Sequence, residues 1–248
     1  MPLLSLKNVS LSYHTKQGQT DALGGVNLDI ENGEFVAIAG PSGCGKTTIL
    51  SIVAGLLKSR GEVLLDGKQI TAPSGDVGYC LQRDSLFEWL TIEKNAEIGL
   101  KIQNKLSDEN NKYAADLLKK YGLKDFAKSY PSQLSGGMRQ RAALIRTLAF
   151  RPKILLLDEP FSALDYQTRL EVAADVSDII KQENMTALLV THDISEAIAL
   201  ASRVVILSPR PACVRKIVDI DMPGNPLERR KDKDFSKYFD EIWKDLQV

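Results

Sequence analysis

"FVAIAGPSGCGKTT", Phe35 to Thr48, joins an unbroken apolar run to a glycine-rich turn that ends in lysine and two threonines. Five consecutive apolar residues, Phe35 to Ala39, suit a strand buried on both faces, as in the interior of a parallel sheet. Lys46 to Leu57 reads as a helix, so the glycines fall between strand and helix. "GPSGCGKTT", Gly40 to Thr48, then matches GxxxxGK[ST] in the context that gives the pattern meaning. Gly40, Pro41, Ser42, Gly43, Cys44 and Gly45 form a turn whose backbone N–H groups can point inward at phosphate oxygens, aided by the positive end of the next helix. Lys46 adds a full charge near the β- and γ-phosphates, and Thr47, followed by Thr48, offers a hydroxyl to Mg²⁺. The bland alternative is a strand–turn–helix junction with an exposed lysine. By itself the motif indicates a nucleoside triphosphate and no more.

Toward the N-terminus, Leu3 to Ile30 alternates short apolar runs around the polar "HTKQGQTD" (His14 to Asp21), which predicts antiparallel strands joined by a loop. Beyond the phosphate loop, Glu62 to Leu65 and Val77 to Leu81 read as strands, with a tight turn at Asp66-Gly67. Thr91 to Gln103 and Ser107 to Tyr121 carry helical periodicity; Ser107 suits an N-cap and Gly122 a stop. From Lys153 onward, "KILLLD", Tyr166 to Glu183, "TALLV", Ser195 to Ala201 and "RVVIL" alternate strand and helix, which implies a parallel sheet covered by helices. The expected fold is α/β, a P-loop NTPase core with a mainly parallel sheet, an N-terminal antiparallel β subdomain and an inserted helical subdomain. Residues 1–248 are read as one composite domain: core 1–85 and 151–222, helical subdomain 86–150, and an amphipathic helical tail 223–248.

The bulk numbers exclude several classes. In 248 residues, 44% hydrophobic content is enough for a substantial core. Thirty-two Lys+Arg balance thirty-two Asp+Glu, so no overall basic field draws the chain to nucleic acid or anionic lipid. Cys44, Cys80 and Cys213 lack CxxC spacing, which argues against a zinc or redox pair and for reduced thiols. No run approaches the ~18 apolar residues that span a bilayer, and the first residues lack a signal peptide's pattern. The expected compartment is the cytoplasm.

"ILLLDEP", Ile154 to Pro160, delivers two carboxylates to the carboxyl edge of the sheet, where α/β proteins bind ligands. Asp158 is assigned to Mg²⁺ and Glu159 to orienting and polarising the attacking water, since phosphoryl transfer demands positioning more than covalent chemistry. Two solvated charges at a strand end is the competing reading. His192 follows "TALLV" to the same edge and is placed to hydrogen-bond a γ-phosphate, unless it is structural. Gln82, after "VGYCL", is placed to sense metal or water. Tyr13 either stacks on an adenine ring or fills a strand face.

"QLSGGMRQR", Gln133 to Arg141, holds a second glycine motif. Ser135, Gly136 and Gly137 precede a helix read as Met138 to Phe150, offering a hydroxyl, backbone N–H groups and a positive helix end to an anion. One phosphate chain is not easily wrapped by both sites. The economical resolution is that this one serves a nucleotide held by another copy of the chain. The phosphate loop, Gln82, "LSGGMRQR", "LLLDEPFSALD" and "THD", in that order, resemble the ATPase subunit of an ABC transporter over nearly all the chain to about Met222.

That resemblance implies ATP and Mg²⁺ as cofactors, and a head-to-tail dimer with each ATP between one phosphate loop and the other copy's Ser135-Gly136-Gly137. Ser162 to Asp165 would let the two sites communicate, while a simple helix entry with Asp165 as cap is the bland alternative and compatible with it. Most of the family has glutamine where this chain has Met138. Met138, "SPRPA" (Ser208 to Ala212) and the short tail resemble the importer branch for nitrate, sulfonates and taurine. Glu88, in place of proline before Trp89, and Gly224-Asn225 depart from that branch, which leaves the solute open. "RDSLFEWLTI", Arg83 to Ile92, is either a docking patch for a membrane subunit or a clasp between core and helical subdomain. The implied partners are a second copy, two membrane permease subunits and, indirectly, a solute-binding protein, at the cytoplasmic face of the membrane and without nucleic acid. A soluble ABC ATPase acting on nucleic acid or ribosomes would need coiled-coil arms or tandem signatures, and a small-molecule kinase would leave "LSGGMRQR" without a purpose.

Overall fold

The computed structural model describes residues 1–15 and 18–247. β1 (Leu4–Thr15) and β2 (Gly18–Ile30) pair antiparallel from Leu4↔Ile30 out to Thr15↔Gly18. Most of the polar segment expected as a loop is therefore strand, with Tyr13 opposite Thr20 and His14 opposite Gln19; its residues 16 and 17 lie outside the described residues. An antiparallel ribbon facing water tolerates polar side chains, so polarity alone does not mark where pairing stops. After β3 (Phe35–Ala39), α1 runs over Lys46–Val53. It stops short of Leu57 because Gly55 takes φ +72°, and a Cβ there would lie 2.4 Å from the Ala72 carbonyl carbon. β4 (Arg60–Leu65) and β5 (Lys68–Gln69) complete a sheet in the order β2-β1-β4-β5, turning at Asp66 and Gly67 with both φ positive.

The second sheet has the order β10-β9-β3-β8-β7-β6, built from β6 (Val77–Cys80), β7 (Ile154–Asp158), β8 (Thr186–Val190), β9 (Arg203–Leu207) and β10 (Val214–Asp219) around β3. All neighbours are parallel except β10, which returns antiparallel to β9. The sequence reading missed β10, whose "VRKIVD" buries only Val218. The central strands divide their side chains between two cores. Phe35, Ala37, Leu155 and Leu189 join the helices on one face. Val36, Ile38, Leu156 and Leu188 join α1 and the antiparallel sheet on the other. That is why these strands read as unbroken apolar runs, each large side chain contributing roughly 1.5–3 kcal/mol by burial.

α2 (Ile92–Ile102), α3 (Asp108–Lys120) and α4 (Gly136–Leu148) share the first core through Ala96, Leu117 and Ile145. Thr91 caps α2 and Ser107 caps α3, each accepting from the N–H three residues on. α5 (Tyr166–Gln182) and α6 (Ile194–Leu200) begin at the capping carboxylates Asp165 and Asp193. Glu183, just beyond α5, accepts from Lys120 (2.6 Å), Tyr121 (2.7 Å) and Tyr113 (3.1 Å), tying α3 to α5. The tail forms α7 (Pro226–Arg229) and α8 (Phe235–Leu246), whose Ile242, Tyr238 and Phe239 pack on the first core. Among the described residues, no helix is long and apolar enough to cross a membrane.

Candidate nucleotide site

The phosphate loop bridges β3 and α1 at the carboxyl edge of the large sheet. Gly45 caps α1 at φ +126°, and a Cβ there would lie 2.9 Å from Leu23 Cδ2, so only glycine lets the loop lie this close to the antiparallel sheet. Beside the loop opens a cleft of about 450 Å³. Ser42, Gly43, Gly45, Lys46, Thr47 and Thr48 line one side; Glu159, His192 and Arg210 come from other strand ends.

Lys46 is buried, with Nζ donating to the carbonyls of Gly40 (2.8 Å) and Pro41 (3.1 Å). No carboxylate lies within 4 Å of it among the described residues, although Lys94, Lys120 and Lys153 each have one. With carbonyl dipoles as its protein partners, the Lys46 side chain is left without a counter-ion of its own, a place an anion can fill. Cys44 is buried beneath the loop, and that burial pushes its thiol pKa up.

Asp158, at the end of β7, accepts from Thr47 Oγ1 (3.0 Å) and from the Tyr79 hydroxyl (3.1 Å). Burial pushes its carboxyl up from the ordinary range, the two hydrogen bonds oppose that, and the neighbouring Glu159 charge adds to it. Tyr79, on β6, is pushed up by its own burial and then by Asp158. The reading from sequence passed over Tyr79; the signal was one hydroxyl-bearing side chain in an otherwise apolar strand. Thr47 and Asp158 form a hard-oxygen pair from two elements, the donor chemistry that Mg²⁺ takes when phosphates and water complete its shell.

Glu159 takes φ +45°, a left-handed conformation costing a glutamate roughly 1–2 kcal/mol. Its backbone N–H donates to Val190 O (2.8 Å), pinning the turn to β8. The twist sends the adjacent carboxylates to different tasks: Asp158 meets Thr47, while Glu159 Oε2 faces the cleft 3.1 Å from His192 Nδ1. Gln82 is not among the cleft-lining residues. Its Nε2 donates to Ser162 Oγ (3.3 Å), and Ser162 in turn donates to the Glu159 carbonyl (3.0 Å). Tyr13 shares a hydrogen bond with Thr48 Oγ1 (3.2 Å) and leaves part of its ring exposed.

The second glycine motif lies away from this cleft. Ser135 caps α4, accepting from Met138 N (3.4 Å), so the helix starts at Gly136, two residues earlier than its weak glycine propensity suggested. A Cβ at Gly137 would lie 2.8 Å from Val172 Cγ2, and one at Gly136 3.0 Å from Leu164 Cδ2. The two glycines thus seat the helix start against α5 and the Ser162–Asp165 loop. Met138 packs against the first core, which accounts for an apolar residue at that position. Arg139 forks onto Asp84 (2.8 and 3.2 Å) and reaches Glu88 (2.6 Å), joining α4 to the segment that follows Gln82. Against the upward push of burial, that fork holds the Asp84 carboxyl below its ordinary value.

Arg210 was read only as part of "SPRPA". It enters the cleft from the β9–β10 connection, and the rule that singled out His192, a polar residue just past a buried strand at the sheet's carboxyl edge, applies to it as well.

A buried cation under a glycine-rich loop, faced across a cleft by a carboxylate and an imidazole, places the chain among the phosphate-loop nucleoside triphosphatases. Residues 23–162 match the family described as ABC transporter, and the chain belongs to that family as an ATP-binding, ATP-hydrolysing subunit. It is 45% identical over 250 residues to an uncharacterized ABC transporter ATP-binding protein, YtlC, of Bacillus subtilis, covering 99% of this chain and 96% of the relative. It is 40% identical to the nitrate import ATP-binding protein NrtD of Synechocystis, covering 96% and 93%, and 41% identical to the aliphatic sulfonates import ATP-binding protein SsuB of Bacillus cereus, covering 89% and 87%. Among solved structures, the dimeric post-hydrolysis state of the cassette MJ0796 bound to ADP and Pi superposes with a TM-score of 0.74 at 33% identity, over 89% of this chain and all of that one.

Proposed function

We propose that this chain powers import of a small solute of the nitrate, sulfonate or taurine type, working as a head-to-tail dimer beneath two membrane permease subunits at the cytoplasmic face. A separate solute-binding protein supplies the cargo. Relatives named for nitrate and sulfonate import support the solute class, and the dimeric cassette supports the pairing. The observation that carries the reading is the separation of the two glycine motifs: Lys46 lines a cleft in which Ser135, Gly136 and Gly137 take no part. A second copy closes that cleft with its own Ser135 helix start, and a two-fold pair satisfies both sites at once.

Within each site the loop N–H groups and Lys46 hold the phosphates, and Tyr13 stacks on the adenine. Thr47 and Asp158 would hold Mg²⁺, with Gln82 as its sensor, and the ion would supply neutralisation of the phosphate charge. Glu159 orients water and takes its proton, while His192 steadies the Glu159 carboxylate and hydrogen-bonds the γ-phosphate. Residues 86–150 act as the helical subdomain that carries Ser135-Gly136-Gly137 at the start of α4 and docks the membrane subunit.

A shared site makes turnover second order at low concentration. ATPase rate per molecule should fall steeply on dilution of the isolated chain; a rate indifferent to dilution would exclude it.

For docking, the segment after Gln82 offers a built platform. Asn95 is fully buried, accepts from Phe87 N (2.8 Å) and donates to the carbonyls of Phe87, Leu90 and Thr91. Leu86 is buried beneath, whereas Trp89 stands 73% exposed, 5.1 Å from the Phe87 ring. Leu86 clasps, and Trp89 meets the permease. Trp89→Ala should leave the isolated chain's ATPase within about twofold and cut ATP-driven uptake in reconstituted vesicles by about tenfold or more. Loss of ATPase in the isolated variant would assign Trp89 to the clasp instead.

A further inference from the structure

Among the residues lining the cleft, Arg210 alone lies outside the phosphate loop, the Asp158-Glu159 pair and His192. Its Nε–H donates to the Gly43 carbonyl within the phosphate loop. One terminal nitrogen lies 3.3 Å from the point a Cβ on Gly43 would occupy. Arg139, Arg169 and Arg203 each face a carboxylate, but among the described residues none lies within 4 Å of Arg210. Its loop is fixed on either side: Gly24 N donates to Ala212 O (2.8 Å), Ala212 N to Ala22 O (2.9 Å), and Ser208 N to Cys213 O (3.0 Å). An uncompensated guanidinium is thus held against the same loop that Lys46 grips through Gly40 and Pro41.

We propose that Arg210 is a second phosphate-directed cation of this cleft. It holds the loop through the Gly43 carbonyl and turns its remaining N–H donors to the phosphate chain of a bound nucleoside di- or triphosphate. A guanidinium has five donors in a fixed fork, so one bond to a carbonyl leaves others for an anion. The inference rests on the nucleotide reading of the cleft and adds a residue to it. Because Arg210 is exposed, its pull on an anion is screened, and its contribution should shrink as salt rises.

The test is titration of the full chain with fluorescent ATP and ADP analogues at low and high salt. Arg210→Gln keeps N–H donors for the Gly43 carbonyl and removes the charge; Arg210→Lys keeps the charge and loses the fork. Glutamine should weaken both nucleotides about tenfold at low salt, with a smaller loss at high salt, as expected for one charge-assisted hydrogen bond, and lysine should recover most of the affinity. Arg210→Gln binding like the unmutated chain would overturn the proposal. So would equal losses in both variants that salt does not change, which would leave Arg210 a loop-holding role only. Lys46→Ala in the same assay separates the two readings: normal nucleotide affinity there removes the cleft itself, whereas lost affinity beside a normal Arg210→Gln removes only this assignment.

Discussion

Lys46→Ala should lower the affinity for Mg-ATP by about a hundredfold, because a charged donor to the phosphates is worth up to roughly 3 kcal/mol. The environment of Lys46 makes the variant informative. The ammonium is 6% exposed and bonded to the carbonyls of Gly40 and Pro41, with no carboxylate stranded by its removal. Breaking a buried ion pair would destabilise the fold by leaving an unpaired charge, and that penalty is absent here. The variant should therefore fold and melt close to the unmutated chain while failing to bind. Calorimetric titration with Mg-ATP, paired with a thermal melt, separates these effects. Affinity like that of the unmutated chain would remove the cleft from its role.

How much of this was legible in the sequence depends on whether the signal was local. Gly40 to Thr48 could be read because the constraint is a backbone conformation and a spacing of one lysine, both contained in nine residues. The central strands were legible because burial on two faces leaves their interiors apolar, with polar residues only at the ends, Thr186 opening β8 and Asp158 closing β7. Other features depend on what the fold brings together. The Tyr79–Asp158 bond joins residues 79 apart, and the Arg210–Gly43 contact joins residues 167 apart. The end of α1 at Val53 is set by the carbonyl of Ala72 pressing on Gly55, which no helix propensity contains. Glu88 reads as a departure from a family pattern until Arg139 is seen to bridge it and Asp84. The polar ribbon at His14 misled because composition cannot tell a solvated strand from a loop.

Glu159→Gln should bind Mg-ATP with near-normal affinity and hydrolyse it about a hundred- to a thousandfold more slowly, the range a general base contributes. The substitution is nearly isosteric and leaves the φ +45° backbone of residue 159 with the same left-handed penalty, still pinned by its N–H to Val190 O. The amide is the same size as the carboxylate and can keep the 3.1 Å contact with His192 Nδ1. What disappears is a carboxylate able to take a proton from water, while Asp158 keeps its bonds to Thr47 and Tyr79. Slow chemistry with intact binding should also accumulate the ATP-bound dimer, visible by light scattering as a mass that doubles on adding Mg-ATP. Rapid-mix single-turnover hydrolysis isolates the chemical step from product release. A near-normal single-turnover rate would take the base role from Glu159, and a retained rate with lost affinity would make it a binding residue instead.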